Sequence, residues 1–322
     1  MSLPPSIAGR LRLPAFCAPM FLVSTPELVK AACLSGIIGG LPRQNARSIE
    51  QFEAWLADIR LALDVARDQG AAAGPLAVNL ASNLPTEELA ANLALCARYG
   101  VDIIVNATGD PTELTKRARD AGMLVYADAV NLRFAEKAAS AGVDGITAVG
   151  AGGGGHSGVI TPLALIPKIR AMFSGTIVLA GAVSSGAAIR AAEILGADLA
   201  YLGTRFIATR ESGADTAYKQ MLIDEDIVGV VHTAAISGVA ASWLTASMRR
   251  VGLDPDALPA PGPRLTHGHL PAGVKPWRNL WSAGQGIGLI ADAPDVAELV
   301  ERLAGEYEAA CDVPAFRGWK AS

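Results

Sequence analysis

Near the middle of the chain, nine consecutive residues, 150–158, read Gly-Ala-Gly-Gly-Gly-Gly-His-Ser-Gly and place six glycines around His156. Backbone without side chains admits positive φ and lets a flat or anionic ligand approach peptide N–H groups. Gly150, Gly154 and Gly155 are the candidates for that contact. An imidazole titrates near neutral pH, which suits it to take a proton or to orient a polar substrate. No Gly-Lys-Ser/Thr follows, so this is not a Walker A loop, and the glycine spacing alone says little about dinucleotides. The competing reading is a surface loop with an incidental histidine.

Two further turns pair with this loop. Ala180-Gly181-Ala182 and Leu202-Gly203-Thr204-Arg205-Phe206 each end an apolar run in glycine. Two such turns side by side can hold a phosphate through backbone amides, with the Thr204 hydroxyl as an added donor. Pro19 and Met20 end an early apolar run, and Asn79 sits within another; a thioether packs under aromatic rings, and an amide satisfies ring polar atoms. Asp128 closes a further run, where a carboxyl serves either as an acid or as a loop-fixing acceptor. His267 and His269 form an H-x-H pair with no third ligand in view, so no metal site is expected. His232 reads as a structural histidine.

These residues need a scaffold that brings strand ends together. Short apolar runs at 15–20, 36–41, 76–80, 103–107, 124–128, 145–149, 176–181 and 199–204 alternate with helical periodicity. Uninterrupted apolar runs of this length are how parallel strands covered on both faces look. The helices carry their own punctuation: Thr25 as N-cap, Pro26 at the first helical position, and Gly36 beyond the end. Eight βα units in series predict a (β/α)8 barrel, with an open doubly wound sheet as the alternative. In a barrel, residues at the C-terminal strand ends, including Asp128, Val149 and His156, face one mouth. Residues 213–279 break the rhythm and predict a mostly helical lid, so the barrel spans 1–212 and 280–322.

Composition narrows the partners. The 322 residues are 51% hydrophobic and 18% charged, with net charge -4. That balance predicts a large core, and without a Lys/Arg block neither nucleic acid nor an anionic membrane is a suitable partner. Four scattered cysteines form no CxxC pair and read as reduced thiols. With no signal-like h-region and no long uncharged apolar stretch, the expected location is cytoplasmic.

At the residues above, the chain resembles the FMN-dependent nitronate monooxygenases, formerly called 2-nitropropane dioxygenases. The likeness runs along nearly the whole chain. It includes Ala18-Pro19-Met20, Val78-Asn79, the Gly-Gly-His-x-Gly signature at 154–158, the two phosphate turns, and Trp281-Ser282-Ala283-Gly284-Gln285-Gly286-Ile287-Gly288. The histidine signature and the late Ala-Gly-Gln-Gly run are fairly specific, whereas the phosphate glycines are shared by many barrel flavoproteins.

The resemblance implies non-covalent FMN and oxidation of alkyl nitronates by O2 to a carbonyl compound and nitrite, with His156 as base or orienting group. It implies that Pro19, Met20 and Phe21 contact the isoalloxazine ring, that Asn79 hydrogen-bonds it, and that Asp128, Val149, Gly150, Gly154 and Gly155 line it. Ala180, Gly181, Ala182, Leu202, Gly203 and Thr204 would surround the phosphate. The chain departs from the family pattern in three places. Gly152 and Val149 stand where relatives often carry glutamate and glutamine, and Asp128 stands where some carry lysine. Those departures leave room for a related function, an NAD(P)H-dependent reductase of a quinone or enoyl thioester. A third reading is a flavin-binding module without catalysis. A homodimer is compatible with all three.

Overall fold

Eight of the apolar runs become parallel strands because both of their faces are covered. In the computed structural model, which describes residues 2–260 and 270–314, these are β1 Ala15–Cys17, β2 Ile38–Pro42, β3 Leu76–Leu80, β4 Ile103–Asn106, β5 Leu124–Ala129 and β6 Gly145–Val149, then β8 Thr176–Ala180 and β9 Leu199–Leu202. Three more short strands stand outside the barrel: β7 Gly155–His156, β10 Val230–Thr233 and β11 Ala241–Leu244. The eight parallel strands close in the order β1-β2-β3-β4-β5-β6-β8-β9, with Ala15 of β1 in register with Ala200 of β9. Closure excludes the open sheet.

Alternate residues point inward. Phe16, Ile38, Ala77, Ile103, Val105, Tyr126, Val178 and Leu199 fill the barrel interior as one apolar cluster. The filling alternates large and small: a Cβ on Gly145 would stand 2.5 Å from the Tyr126 ring, so only glycine leaves room for it. The outward residues pack under a ring of helices: α2 Pro26–Leu34, α3 Ile49–Asp68, α4 Thr86–Arg98, α5 Thr112–Asp120, α6 Leu132–Ser140, α7 Pro162–Arg170 and α8 Gly186–Leu195, after a single turn, α1 Pro5–Ala8. Side-chain caps start several of them: Thr25 accepts from Leu28 N, Asn131 from Phe134 N and Ser185 from Ala188 N. Each cap satisfies an amide that has no intrahelical partner.

After β9 the chain makes only a one-turn helix, α9 Thr204–Ile207, before leaving the barrel. The eighth outer helix arrives much later as α12 Val296–Cys311, which packs between α8 and α2. The insertion between them differs from the expected mostly helical lid. Alongside α10 Thr216–Asp224 and α11 Thr245–Arg250 it contributes β10 and β11, which join β7 in a three-stranded antiparallel sheet. The reason is pairing: β11 is flanked by β10 and by the barrel's own glycine loop, with Ala241 opposite His156. One face of that sheet buries Trp243 among Ile236, Met248, Leu253 and Leu280. The His267–His269 pair lies outside the described residues. Among the described residues no helix is long and apolar enough to cross a membrane.

Candidate active site

The loop after β6 sits on the ends of β8 and β9. Gly150 N extends the barrel ladder by donating to Ala180 O at 2.9 Å, and Ala182 N donates back to Gly152 O at 3.2 Å. Contact is close enough to demand glycine. A Cβ on Gly181, whose φ is +133°, would lie 2.8 Å from Ala151 O, and one on Gly154 would lie 3.2 Å from Thr204 Oγ1. Gly154 and Thr204 therefore meet, and His156 follows two residues later, at most about 7 Å of chain away.

The late Trp281–Gly288 run clamps this loop from above. Gly284 N donates to Thr204 Oγ1 at 2.9 Å, Gln285 N to Gly152 O at 2.8 Å, and Gly155 N to Ser282 Oγ at 2.7 Å. The clamp is itself held by Tyr218, whose ring stacks on Trp281 with centroids 4.8 Å apart and whose hydroxyl donates to Ser282 O. Of the candidate backbone donors, those of Gly150, Gly155 and Ala182 are thus engaged within the protein. The amides of Gly154, Gly181 and Gly203 donate to no other described residue.

Inside the mouth, the strand tops supply polar atoms. Asn79 Nδ2 donates to Val105 O at 3.3 Å, which leaves its carbonyl oxygen uncommitted. Asp128 stands in register with Thr147 of β6, and buried Asp128 Oδ1 and Thr147 Oγ1 both lack a hydrogen-bond partner. Burial pushes the Asp128 carboxyl up to about 7, with the nearby Thr147 hydroxyl opposing the shift. Val149 closes β6 one inward position above Thr147. Met20 N donates to Ser24 Oγ at 2.9 Å, and Asn45 Nδ2 donates to Met20 O at 3.1 Å. That fixes the Pro19–Ser24 turn and brings the Met20 sulfur within 3.6 Å of where a Cβ on Gly203 would stand. Pro19 packs against Gly40, Leu202 is buried, and the Phe21 side chain is exposed.

His156 caps the arrangement. Its ring lies edge-on to Trp277, and Nδ1 is 3.4 Å from Ala240 O. The side chain is exposed, and the partial desolvation its neighbours impose lowers its pKa below the ordinary histidine value, partly offset by that carbonyl. A neutral ring with Nδ1–H toward Ala240 presents Nε2 as an acceptor. On the other face of the small sheet, His232 Nδ1 lies 3.3 Å from Ser242 Oγ and 3.4 Å from Ser157 Oγ. His232 thereby ties β10 to the glycine loop, in keeping with a structural role.

Sequence reasoning missed Trp277, Trp243, Ser157, Ser242 and Thr147. The two tryptophans pack with centroids 4.3 Å apart, and Trp277 adopts φ +67°, unusual for a bulky residue. Thr147 was in view as the inward alternate of β6, a signal available from period-2 counting. A separate cavity of about 440 Å³ between Arg10, Arg12, Ser35 and Glu301 lies on the N-terminal side of the barrel, away from all these groups.

Free glycine amides, an uncommitted amide oxygen and unpartnered buried oxygens converge at one mouth, which is how a barrel enzyme holds a cofactor that carries the harder chemistry. The sequence profile of the nitronate monooxygenase family matches residues 11–306, and the chain belongs to that family. It is an oxidoreductase of a flavoprotein family. A nitronate monooxygenase from Paraburkholderia phytofirmans is 30% identical over 341 aligned residues, covering 92% of each chain. The nitroalkane oxidase of Streptomyces ansochromogenes superposes with a TM-score of 0.76 at 26% identity, over 95% of this chain and 99% of its own. FabK from Thermotoga maritima, at 22% identity and a TM-score of 0.75 over 96% of this chain and 98% of its own, shares the fold.

Proposed function

We propose that the chain binds FMN at the C-terminal mouth of its barrel and oxidises alkyl nitronates with O2 to a carbonyl compound and nitrite. The observation that carries the reading is the contact of the Gly154 loop with Thr204, two residues before an imidazole that presents Nε2. It sets a base beside the strand ends that hold phosphates in this fold.

The residues fit the cofactor. Gly181 and Gly203 offer amides to its phosphate, and the Thr204 hydroxyl, accepting from Gly284, keeps its proton to donate. Space beside Gly203 is open, since an added Cβ there would meet only Met20 Sδ at 3.6 Å and Ala18 Cβ at 3.8 Å. Asn79 and Asp128 would supply polar contacts to the cofactor's ring, and Met20 a soft surface. When bound, FMN would supply the redox chemistry between substrate and O2. His156 takes the α-proton of a neutral nitroalkane at Nε2, or holds the nitro oxygens of a nitronate once that nitrogen is protonated. Trp277 and Trp243 wall its flank.

The test is aerobic turnover with an alkyl nitronate, followed as nitrite release and O2 uptake without nicotinamide. Nitrite formation supports the reading. Rapid bleaching of the flavin by NADH under anaerobic conditions, with no nitrite from nitronates, would replace it with a reductase acting on a quinone or enoyl thioester.

A further inference from the structure

Among the described residues, Asp128 is the one carboxylate with a buried oxygen that lacks a hydrogen-bond partner. Asp102, Asp144 and Asp198, near the N-terminal ends of the strands, pair with Arg10, Arg119 and Arg170. Asp128 occupies the inward position next to the end of β5, and its Oδ1 is buried without a hydrogen-bond partner. The groups around it are neutral. Thr147 faces it from β6, Tyr126 lies one inward position below on β5, and Tyr201 of β9 feels its charge. Burial keeps both phenols protonated, well above any physiological pH. Among the described residues, no lysine, arginine or histidine contributes to its titration. A carboxyl in such a place holds its charge only at a cost, and the cost grows when a neighbouring ligand becomes negative.

Resting on the FMN reading above, we infer that Asp128 is a proton-holding group of the flavin site, taking up a proton when the ring is reduced and releasing it on reoxidation. In a reductive titration, two electrons from dithionite and one proton would reduce the ring and leave it anionic. A second proton, from solvent, forms the O–H bond of the Asp128 acid, and both leave again when the ring is reoxidised. The acid then donates a hydrogen bond toward the charged ring edge. A lysine there would stabilise the same charge by its own cation; the aspartic acid does so by importing a proton, and so couples flavin potential to pH.

The test is a potentiometric titration of the full chain loaded with FMN, between pH 7.5 and 9, for the parent protein and Asp128→Asn. The parent is expected to take up two protons per two electrons, a slope of about 60 mV per pH unit, and the variant one, about 30 mV per pH unit. Equal slopes overturn the inference. Should the variant fail to hold flavin, the reduced-minus-oxidised infrared spectrum of the parent decides the matter. A protonated-carboxyl stretch appearing on reduction at pH 8 supports the proposal, and its absence overturns it. A parent protein that binds no FMN removes the cofactor reading itself, a result distinct from bound flavin with a one-proton slope.

Discussion

His156 meets Trp277 edge to face, with ring centroids 5.2 Å apart and planes at 67°. The contact joins a residue from the loop after β6 to one more than a hundred positions later, just before the chain returns to the barrel. It restrains the imidazole on one side while Ala240 O restrains Nδ1 on the other, so the ring is held by two elements of the insertion and presents one nitrogen.

Replacing His156 by Asn should leave FMN bound while nitronate turnover falls by about 100-fold or more, the usual scale for a lost base. Partial desolvation by its neighbours sets the sign of the pH dependence: the pKa lies below 6.5, so the neutral base persists into mildly acidic solution. The acid limb of kcat/KM in the parent enzyme should therefore fall below that value. A limb above it, or full turnover by the Asn variant, removes His156 from the mechanism.

Two glycines of the site should respond oppositely. A Cβ on Gly158 would lie 2.2 Å from Val130 O, a backbone atom that cannot yield, so Gly158→Ala should cost about 3 kcal/mol or more in a urea titration. Gly203→Ala meets nothing nearer than 3.6 Å and should keep stability within about 0.5 kcal/mol. The methyl it adds stands where the phosphate end is expected, so FMN affinity should drop by about tenfold or more, roughly 1.4 kcal/mol. Unchanged FMN affinity in Gly203→Ala would place the phosphate elsewhere.

Thr204 links the late clamp to the strand ends. Thr204→Val leaves the buried Gly284 amide without its acceptor, at a cost of about 1–3 kcal/mol. Thr204→Ser retains the hydroxyl and should recover most of that loss. Destabilisation by Thr204→Ser, with Thr204→Val close to the parent, would show that packing of the methyl group, rather than the hydrogen bond, carries the effect.

Asp128 makes the unloaded protein's stability depend on pH in a definite direction. Its folded-state pKa of about 7 exceeds the ordinary 3.8, so the fold retains a proton the unfolded chain has lost. This contribution is complete below about 3.8 and is lost as pH rises through about 7. Asp128→Asn should therefore gain on the parent by a few kcal/mol more at pH 8 than at pH 5. Thermal unfolding at the two pH values measures it, and a constant gap would show that Asp128 ionises without penalty.

Much of this was readable from residues in order. The barrel strands stand out because burial on both faces leaves continuous apolar runs, and Thr25 with Pro26 marks a helix start by local chemistry alone. The glycine loop and the two glycine turns after β8 and β9 were visible as patterns, and their contact followed from barrel closure. The small sheet was not visible. β7 is only Gly155 and His156, too short to show a period, and its partner Ala241–Leu244 lies some 85 residues onward in an alanine-rich stretch that mimics a helix. Trp277 escaped notice for a related reason: its placement depends on a positive φ and on packing against Trp243. Local sequence states neither.

In the proposed function, the strand ends around Gly181, Gly203 and Thr204 hold FMN in the mouth beside His156. Equilibrium titration of FMN into the purified protein, followed by quenching of flavin fluorescence, tests it most directly. The account predicts saturable binding of one FMN per chain, weakened by Gly203→Ala. A protein that shows no saturable binding would contradict it.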